Sequence, residues 1–238
     1  MSNNYFQFKQ FTIRHERCAM KVGTDGVLLG AWTPLPTEGD VLDVGTGSGL
    51  IALMIAQRGS LLHVEGIDID RDSVLQAQEN VEASPFADRV NISLCSLQDF
   101  ASDERFSGHF DALVCNPPFF EEKLLPPDKQ RSQARHTDTL PFDLLITSAS
   151  RVLRHEGLFS VIMPTACLDN FRLMCFANGL FLKSCCHVQT TSRKTPKRVL
   201  ACFVKDEHVE TVYTTLTLME NGARSDAYKL LTRDFYLQ

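Results

Sequence analysis

An apolar run that ends in Asn116-Pro117-Pro118-Phe119 sets a primary amide, a rigid double proline and an aromatic ring side by side at the close of a buried segment. Each residue type suits one task. An amino or amide nitrogen attached to a planar group is a poor nucleophile, because its lone pair is delocalised. Two acceptors that hold its two hydrogens polarise the nitrogen toward attack and stabilise the positive charge that develops on it. The Asn116 side-chain oxygen and the Pro117 carbonyl are expected to be those acceptors. Pro118 restricts the backbone that carries the carbonyl, and Phe119 offers a face on which a planar, partly cationic group can stack. The surplus proton can leave to water after transfer, so no general base is needed, and most of the acceleration is alignment.

A second centre is the stretch "DVGTGSGL", with Gly45, Gly47 and Gly49 directly after an apolar run. Glycines at such a place let the backbone turn tightly and bring a ligand against main-chain N–H groups. Asp68 closes the next apolar run roughly 20 residues further on, where a carboxylate can accept both hydroxyls of a ribose. Asp43 lies inside the first run, where an unpaired carboxylate is costly. It is expected to hold either the glycine loop's own amides or a cationic group of a ligand. The spacing is G-x-G-x-G, and Leu50 stands where a dinucleotide fingerprint requires its third glycine, which counts against a nicotinamide dehydrogenase.

The elements that must position these residues alternate from Asp40 onward. Short apolar runs at 41–45, 63–69, 90–95, 110–115 and 157–164 are expected as strands. Helix-patterned segments at 48–59, 71–83, 141–153 and 165–178 separate them, the signature of a parallel sheet with crossover helices. On the segment at 71–83, the spacing of Val74, Ala77, Gln78 and Val81 suits one packed face. The runs "LFLKSCCHVQ" and "VLACFVK" are expected as an antiparallel pair at the sheet's edge. Residues 1–238 are expected to form one domain, with 1–32 as an N-terminal extension and 206–238 as a C-terminal tail. Ligands of open α/β sheets bind outside the carboxyl ends of the strands, so Asn116 and the glycine turn should border one site.

Composition narrows the setting. The chain has 238 residues, 44% hydrophobic and 22% charged, and a formal net charge of −5, which fits an ordinary globular protein and argues against a chain that coats nucleic acid, although it says nothing about local patches. No stretch approaches the roughly 20 apolar residues of a membrane span, and the N-terminus lacks the layout of a signal peptide. A cytoplasmic location is expected. The eight cysteines form no CxxC spacing and are read as reduced and structural, with no metal. Local positive charge lies in three stretches. They are Lys9, Arg14, Arg17 and Lys21; Lys129, Arg131, Arg135 and His136; and Arg193, Lys194, Lys197 and Arg198. Any polynucleotide partner would need them.

"VLDVGTGSGL" with "GIDID" resembles the S-adenosylmethionine signature of Rossmann-like class I methyltransferases. That resemblance implies a mostly parallel seven-stranded sheet with an antiparallel last strand and helices on both faces. The NPPF form resembles the motif of amino-group methyltransferases acting on adenine N6, on guanine N2 or on a glutamine side chain. "KVGTDGVLLGAW" (21–32), "ARHTDTLPFDLL" (134–145), "TSRKTPKRVL" (191–200) and "LTRDFYL" (231–237) together resemble the bacterial tRNA(Val) adenine-N6 methyltransferases. By position, the resemblance implies a catalytic clamp of Asn116, Pro117, Pro118 and Phe119. It implies a cofactor site of Asp43, Gly45, Gly47, Gly49 and Asp68, with Thr24, Asp25 and Gly26 over the methionine end. Asp99 is the expected contact to the cofactor adenine. The implied partner is the anticodon stem-loop of a tRNA, with no obligate protein partner and no membrane. The alternatives are guanine-N2 methylation of ribosomal RNA, glutamine-N5 methylation of a protein, and a non-catalytic RNA-binding module on the same fold.

Overall fold

The computed structural model describes residues 3–117 and 140–237. Pro118, Phe119, Lys129, Arg131, Arg135 and His136 lie outside the described residues.

Strands β3 (Gly39–Val44), β4 (Leu62–Asp68), β5 (Val90–Leu94), β6 (Phe110–Cys115) and β7 (Leu153–Pro164) form the parallel body of the sheet. Every residue of β6 and the last four of β3 are buried, because helices cover both faces and leave no solvent side on which polar residues could alternate. Helix α1 (Thr24–Trp32) precedes the sheet, and the crossover helices are α2 (Leu50–Arg58), α3 (Arg71–Glu82), α4 (Leu97–Ser102), α5 (Phe142–Val152) and α6 (Leu168–Ala177). Their starts are chemically specified. The Asp70 carboxylate accepts from the Ser73 N–H at 2.9 Å to cap α3. At α4 the Ser96 hydroxyl accepts from the Asp99 N–H at 3.0 Å and donates to Asp99 Oδ2 at 2.7 Å, a local capping pair.

The remaining strands are β8 (Leu180–Gln189), β9 (Arg198–Lys205) and β10 (Val212–Thr217). The order across the sheet is β10-β8-β9-β7-β6-β3-β4-β5, with β9 antiparallel to both neighbours. This is the expected α/β class with one strand more than the expected seven. β10 lies in the segment expected as a C-terminal tail; its sequence VYTTLT carries no long apolar run, and its first four residues are exposed. β10 pairs parallel to β8, which makes β10 the edge and puts the β8–β9 pair inside the sheet. The segment expected as one helix over 165–178 is a 3-10 turn, Thr165–Cys167, followed by α6. Among the described residues, no helix is long and apolar enough to cross a membrane.

Both chain ends pack together. The hairpin of β1 (Tyr5–Gln7) and β2 (Thr12–Arg14) meets the segment after α7 (Asp226–Thr232) through a Phe8–Tyr236 bridge and a Lys9 N–H to Phe235 carbonyl bond of 2.8 Å. The Phe8 ring stacks on Phe11 at 4.8 Å and on Tyr236 at 6.0 Å. Phe8, Ile13, Tyr228 and Phe235 belong to the same hydrophobic cluster as the buried faces of α1 and α2. Phe8→Ala is therefore expected to destabilise the protein by about 3–5 kcal/mol. A urea midpoint unchanged by that substitution would make the hairpin peripheral.

Candidate active site

The strand register brings three chain segments to one edge. Val44 is paired with Ile67 on one side and Cys115 on the other, and Asp68 is paired with Leu94. The residues that follow these strand ends are the glycine turn, Ile69 and Asn116.

The turn after β3 is built on left-handed backbone, with φ of +68° at Gly45 and +55° at Gly47, which any side chain would strain. The Gly45 and Thr46 N–H groups both donate to the Ile67 carbonyl, at 2.9 and 3.0 Å, so the turn is anchored to β4. A Cβ at Gly45 would meet nothing within 4 Å. The turn therefore presents bare backbone to open space, a cradle of the kind a nucleoside cofactor requires.

Asp68 closes the cradle from β4. Its Oδ2 accepts from the Gly47 N–H at 2.8 Å and its Oδ1 from the Asp70 N–H at 3.0 Å. Asp43 lies beneath, fully buried; its Oδ2 accepts from the Thr46 hydroxyl at 2.7 Å and the Ala52 N–H at 3.1 Å. Asp43 thus holds the turn through the Thr46 hydroxyl and the start of α2 through the Ala52 N–H, and not through the amides of the glycines. Asp43 Oδ1 is buried without a hydrogen-bond partner among the described residues, an orphan that a cationic ligand group would satisfy. Burial pushes the Asp43 carboxyl up to about 7, the bonds from Thr46 and Ala52 oppose the shift, and the charge of Asp68 adds to it.

The sign of the consequence follows from linkage. A carboxyl raised in the folded state stabilises fully below its unfolded range and loses that contribution as pH rises toward 7. Asp43 should make the protein less stable by on the order of 4 kcal/mol between pH 4 and pH 7. Asp43→Asn is expected to flatten that part of the stability curve. An identical pH slope in urea denaturation of the two proteins would refute the raised carboxyl.

Asn116 extends from the end of β6, half-buried, and Pro117 after it is buried. Among the described residues no hydrogen bond engages the Asn116 side chain. Helix α1 crosses beside it at Gly26, where a Cβ would stand 3.1 Å from Leu50 Cδ2 and 4.0 Å from Asn116 Nδ2. Gly26 is thus the contact that lets α1, the start of α2 and Asn116 approach one another. Leu50, which replaces the dinucleotide glycine, packs against it. Thr24 is exposed at the first position of α1, and Asp25 follows it.

Asp99 is engaged in the α4 cap and exposed. Three other side chains near this edge carry no expectation from the sequence: Ile69, Leu94 and Asn80. Ile69 and Leu94, 57% and 54% exposed, flank Asp68 as apolar side chains left in solvent at the ends of β4 and β5. A large aliphatic residue immediately after a strand-closing acid was the available signal. Asn80 is the other omission. Its side chain donates to the carbonyls of Ser48 at 2.9 Å and Arg14 at 2.8 Å and accepts from the Arg14 N–H at 2.9 Å. It ties the glycine turn to β2 from a position on the packed face of α3, where a buried amide is itself the signal.

The basic stretches separate in space. The β8–β9 connection lies at the carboxyl edge of the sheet, because Pro164 pairs with Arg198 and the Thr165 N–H and hydroxyl donate to the carbonyls of Lys197 and Pro196 at 3.2 and 3.1 Å. Arg193, Lys194 and Lys197 are exposed there. Arg198 differs: its Nε donates to Asp25 Oδ2 at 2.9 Å. In the N-terminal stretch, Lys9 Nζ donates to the Arg233 carbonyl at 2.6 Å and Arg17 pairs with Glu79 at 2.9 Å. Both are therefore engaged within the protein.

Comparison with known proteins adds to this geometry. Residues 21–170 match the model of the methyltransferase small domain. A tRNA1(Val) (adenine(37)-N6)-methyltransferase of Phocaeicola vulgatus is 46% identical over 238 residues, which span 100% of this chain and 99% of the relative. A protein of the same description from Photorhabdus laumondii is 38% identical over 233 residues, 98% of this chain and 95% of its own. Among solved structures, a protein from Agrobacterium tumefaciens described as a predicted O-methyltransferase superposes with a TM-score of 0.71. The match covers 89% of this chain and 96% of that one at 17% identity, a likeness of fold.

Proposed function

Because the chain belongs to the methyltransferase small domain family and aligns end to end with tRNA1(Val) (adenine(37)-N6)-methyltransferases, we propose that it methylates N6 of adenine 37, 3′ of the anticodon, in tRNA(Val). The observation that carries this reading at the site is the Asn116 amide, half-buried at the end of β6 next to the strand that carries the glycine turn, with Gly26 of α1 packed against it and Leu50. S-adenosylmethionine is the methyl donor of such enzymes, and it supplies an electrophilic methyl on a sulfonium.

The residues present fit that donor. Gly45, Gly47 and Gly49 form the cradle, and Asp68 is placed to accept from the ribose hydroxyls. Asp43 Oδ1 and the first turn of α1, Thr24 to Gly26, suit the charged methionine end. Asp99 is the proposed contact to the adenine, with the exposed Ile69 and Leu94 at the ends of β4 and β5 available to its faces. The Asn116 side-chain oxygen and the Pro117 carbonyl then hold the two N6 hydrogens of the target base; in this reading the ring of Pro118 limits the freedom of that carbonyl, and Phe119 stacks on the base. The base leaves the anticodon stem-loop to reach them, and its proton passes to water. Arg193, Lys194 and Lys197, together with Lys129, Arg131, Arg135 and His136, supply the positive charge that the phosphates require. A tRNA substrate places the protein in the cytoplasm.

The test is a methyl-transfer assay with labelled donor, offered bulk tRNA, ribosomal RNA and release factor. Label recovered as N6-methyladenosine from one tRNA is the expected result. Label in guanine or in protein would keep the clamp and discard the substrate, and no label anywhere would discard the enzyme. The same assay examines the hairpin. Arg193→Ala with Lys194→Ala should raise the tRNA KM and flatten the slope of log affinity against log salt by about 1.5. An unaltered slope would remove these two residues from the RNA surface.

A further inference from the structure

Arg198 sits in a run of basic residues that by sequence alone reads as a phosphate track, but its guanidinium turns inward. Nε donates to Asp25 Oδ2 at 2.9 Å, across 173 positions of sequence, and Nη1 donates to the Lys197 carbonyl at 3.3 Å. Both partners are about one-third exposed, so the pair is shielded from solvent on most sides while Arg193, Lys194 and Lys197 remain in water. Asp25 is in the first turn of α1, and its neighbour Gly26 makes the close contact with Leu50 and Asn116.

We infer that Arg198 is a positioning residue of the cofactor site, clamping the first turn of α1 through Asp25, and is not a phosphate contact. This rests on the proposed use of the α1 start to receive the methionine end of S-adenosylmethionine. Two physical reasons favour the clamp. α1 begins at Gly23 with no side-chain cap, so its first turn lacks the usual local hydrogen bond that holds a helix start. The turn is held instead by an ion pair to the sheet, and Arg198 is fixed on the sheet side by its register with Pro164 at the start of β9. In addition, an Asp25 carboxylate left unpaired would repel the carboxylate of the methionine end. The guanidinium offsets that charge. Because the same residue closes the β8–β9 hairpin, RNA held on the hairpin and the cofactor held by α1 meet at one ion pair.

The experiment measures S-adenosylmethionine binding by calorimetry in the absence of RNA, and tRNA binding as a function of salt, for the wild type and for Arg198→Ala, Arg198→Lys, Asp25→Asn and the Ala/Asn double variant. Wild-type binding of the cofactor tests the underlying reading by itself; if it is absent, that reading fails. If it is present, Arg198→Ala should weaken the cofactor about tenfold, as should Asp25→Asn. The double variant should be no weaker than either single one, because both remove the same contact. Arg198→Lys should recover part of the loss, since a lysine keeps the charge and lacks the fork. The salt slope of tRNA binding should not change. Cofactor affinity unaffected by Arg198→Ala, or additive losses in the double variant, would overturn the clamp. A salt slope shallower by about one with cofactor affinity intact would make Arg198 a phosphate contact after all.

Discussion

Asn116→Ala is expected to lower turnover by on the order of 10²- to 10³-fold while the cofactor dissociation constant stays within about twofold. The amide is placed at the end of β6 by a strand whose every residue is buried, so its position is set by the core and survives truncation of the side chain. On the proposed reading, what the alanine removes is one of the two acceptors that would act as charge develops on the amino nitrogen. The contact is stronger in the transition state than in the ground state, so the loss falls on kcat. Asn116→Asp keeps an acceptor in place and should retain more activity than the alanine variant. Single-turnover methylation of tRNA by the three proteins, with calorimetric titration of the cofactor, separates the terms. Equal single-turnover rates would mean that the clamp does not act on the transferring nitrogen.

Asp68→Ala is expected to weaken S-adenosylmethionine by at least about 10²-fold, with a smaller effect on turnover at saturating cofactor. Two contributions combine. In the proposed site the carboxylate accepts from both ribose hydroxyls, and hydrogen bonds to a charged acceptor are worth about 1.5–3 kcal/mol each. It also accepts the Gly47 and Asp70 N–H groups at 2.8 and 3.0 Å, so its loss frees the turn that forms the cradle. Asp68→Asn, which can still accept but no longer carries charge, should fall between alanine and wild type. Affinity within a few-fold of wild type in the alanine variant would place the ribose elsewhere.

How far the site could be read from sequence depended on whether the signal was local. Strands β3 and β6 were legible because burial on both faces forces an uninterrupted apolar run. The glycine turn and Asn116 were legible because each follows directly from such a run, and the rule that ligands gather at the carboxyl ends of parallel strands brought them together before any coordinates. β10 was not legible, since an edge strand with one solvated face carries no such run. Asn80 was hidden within a helix face counted for its apolar members. Ile69 and Leu94 were hidden because an apolar side chain announces itself as core, and only its measured exposure says otherwise.

The sequence by itself therefore determined the α/β class and the positions of the central strands and their crossover helices along the chain, because these depend on periodicity, backbone freedom and residue type within short stretches. Tertiary structure alone decided which charges face outward. Arg193, Lys194, Lys197 and Arg198 are equivalent as a string of cations, but the antiparallel entry of β9 beside β7 turns Arg198 toward Asp25 and leaves the others in solvent. It also decided that the two chain ends, joined at Phe8 and Tyr236, share a core with the helices beside the site. Pairings over such sequence separations are set by how the sheet closes, and no local pattern encodes them.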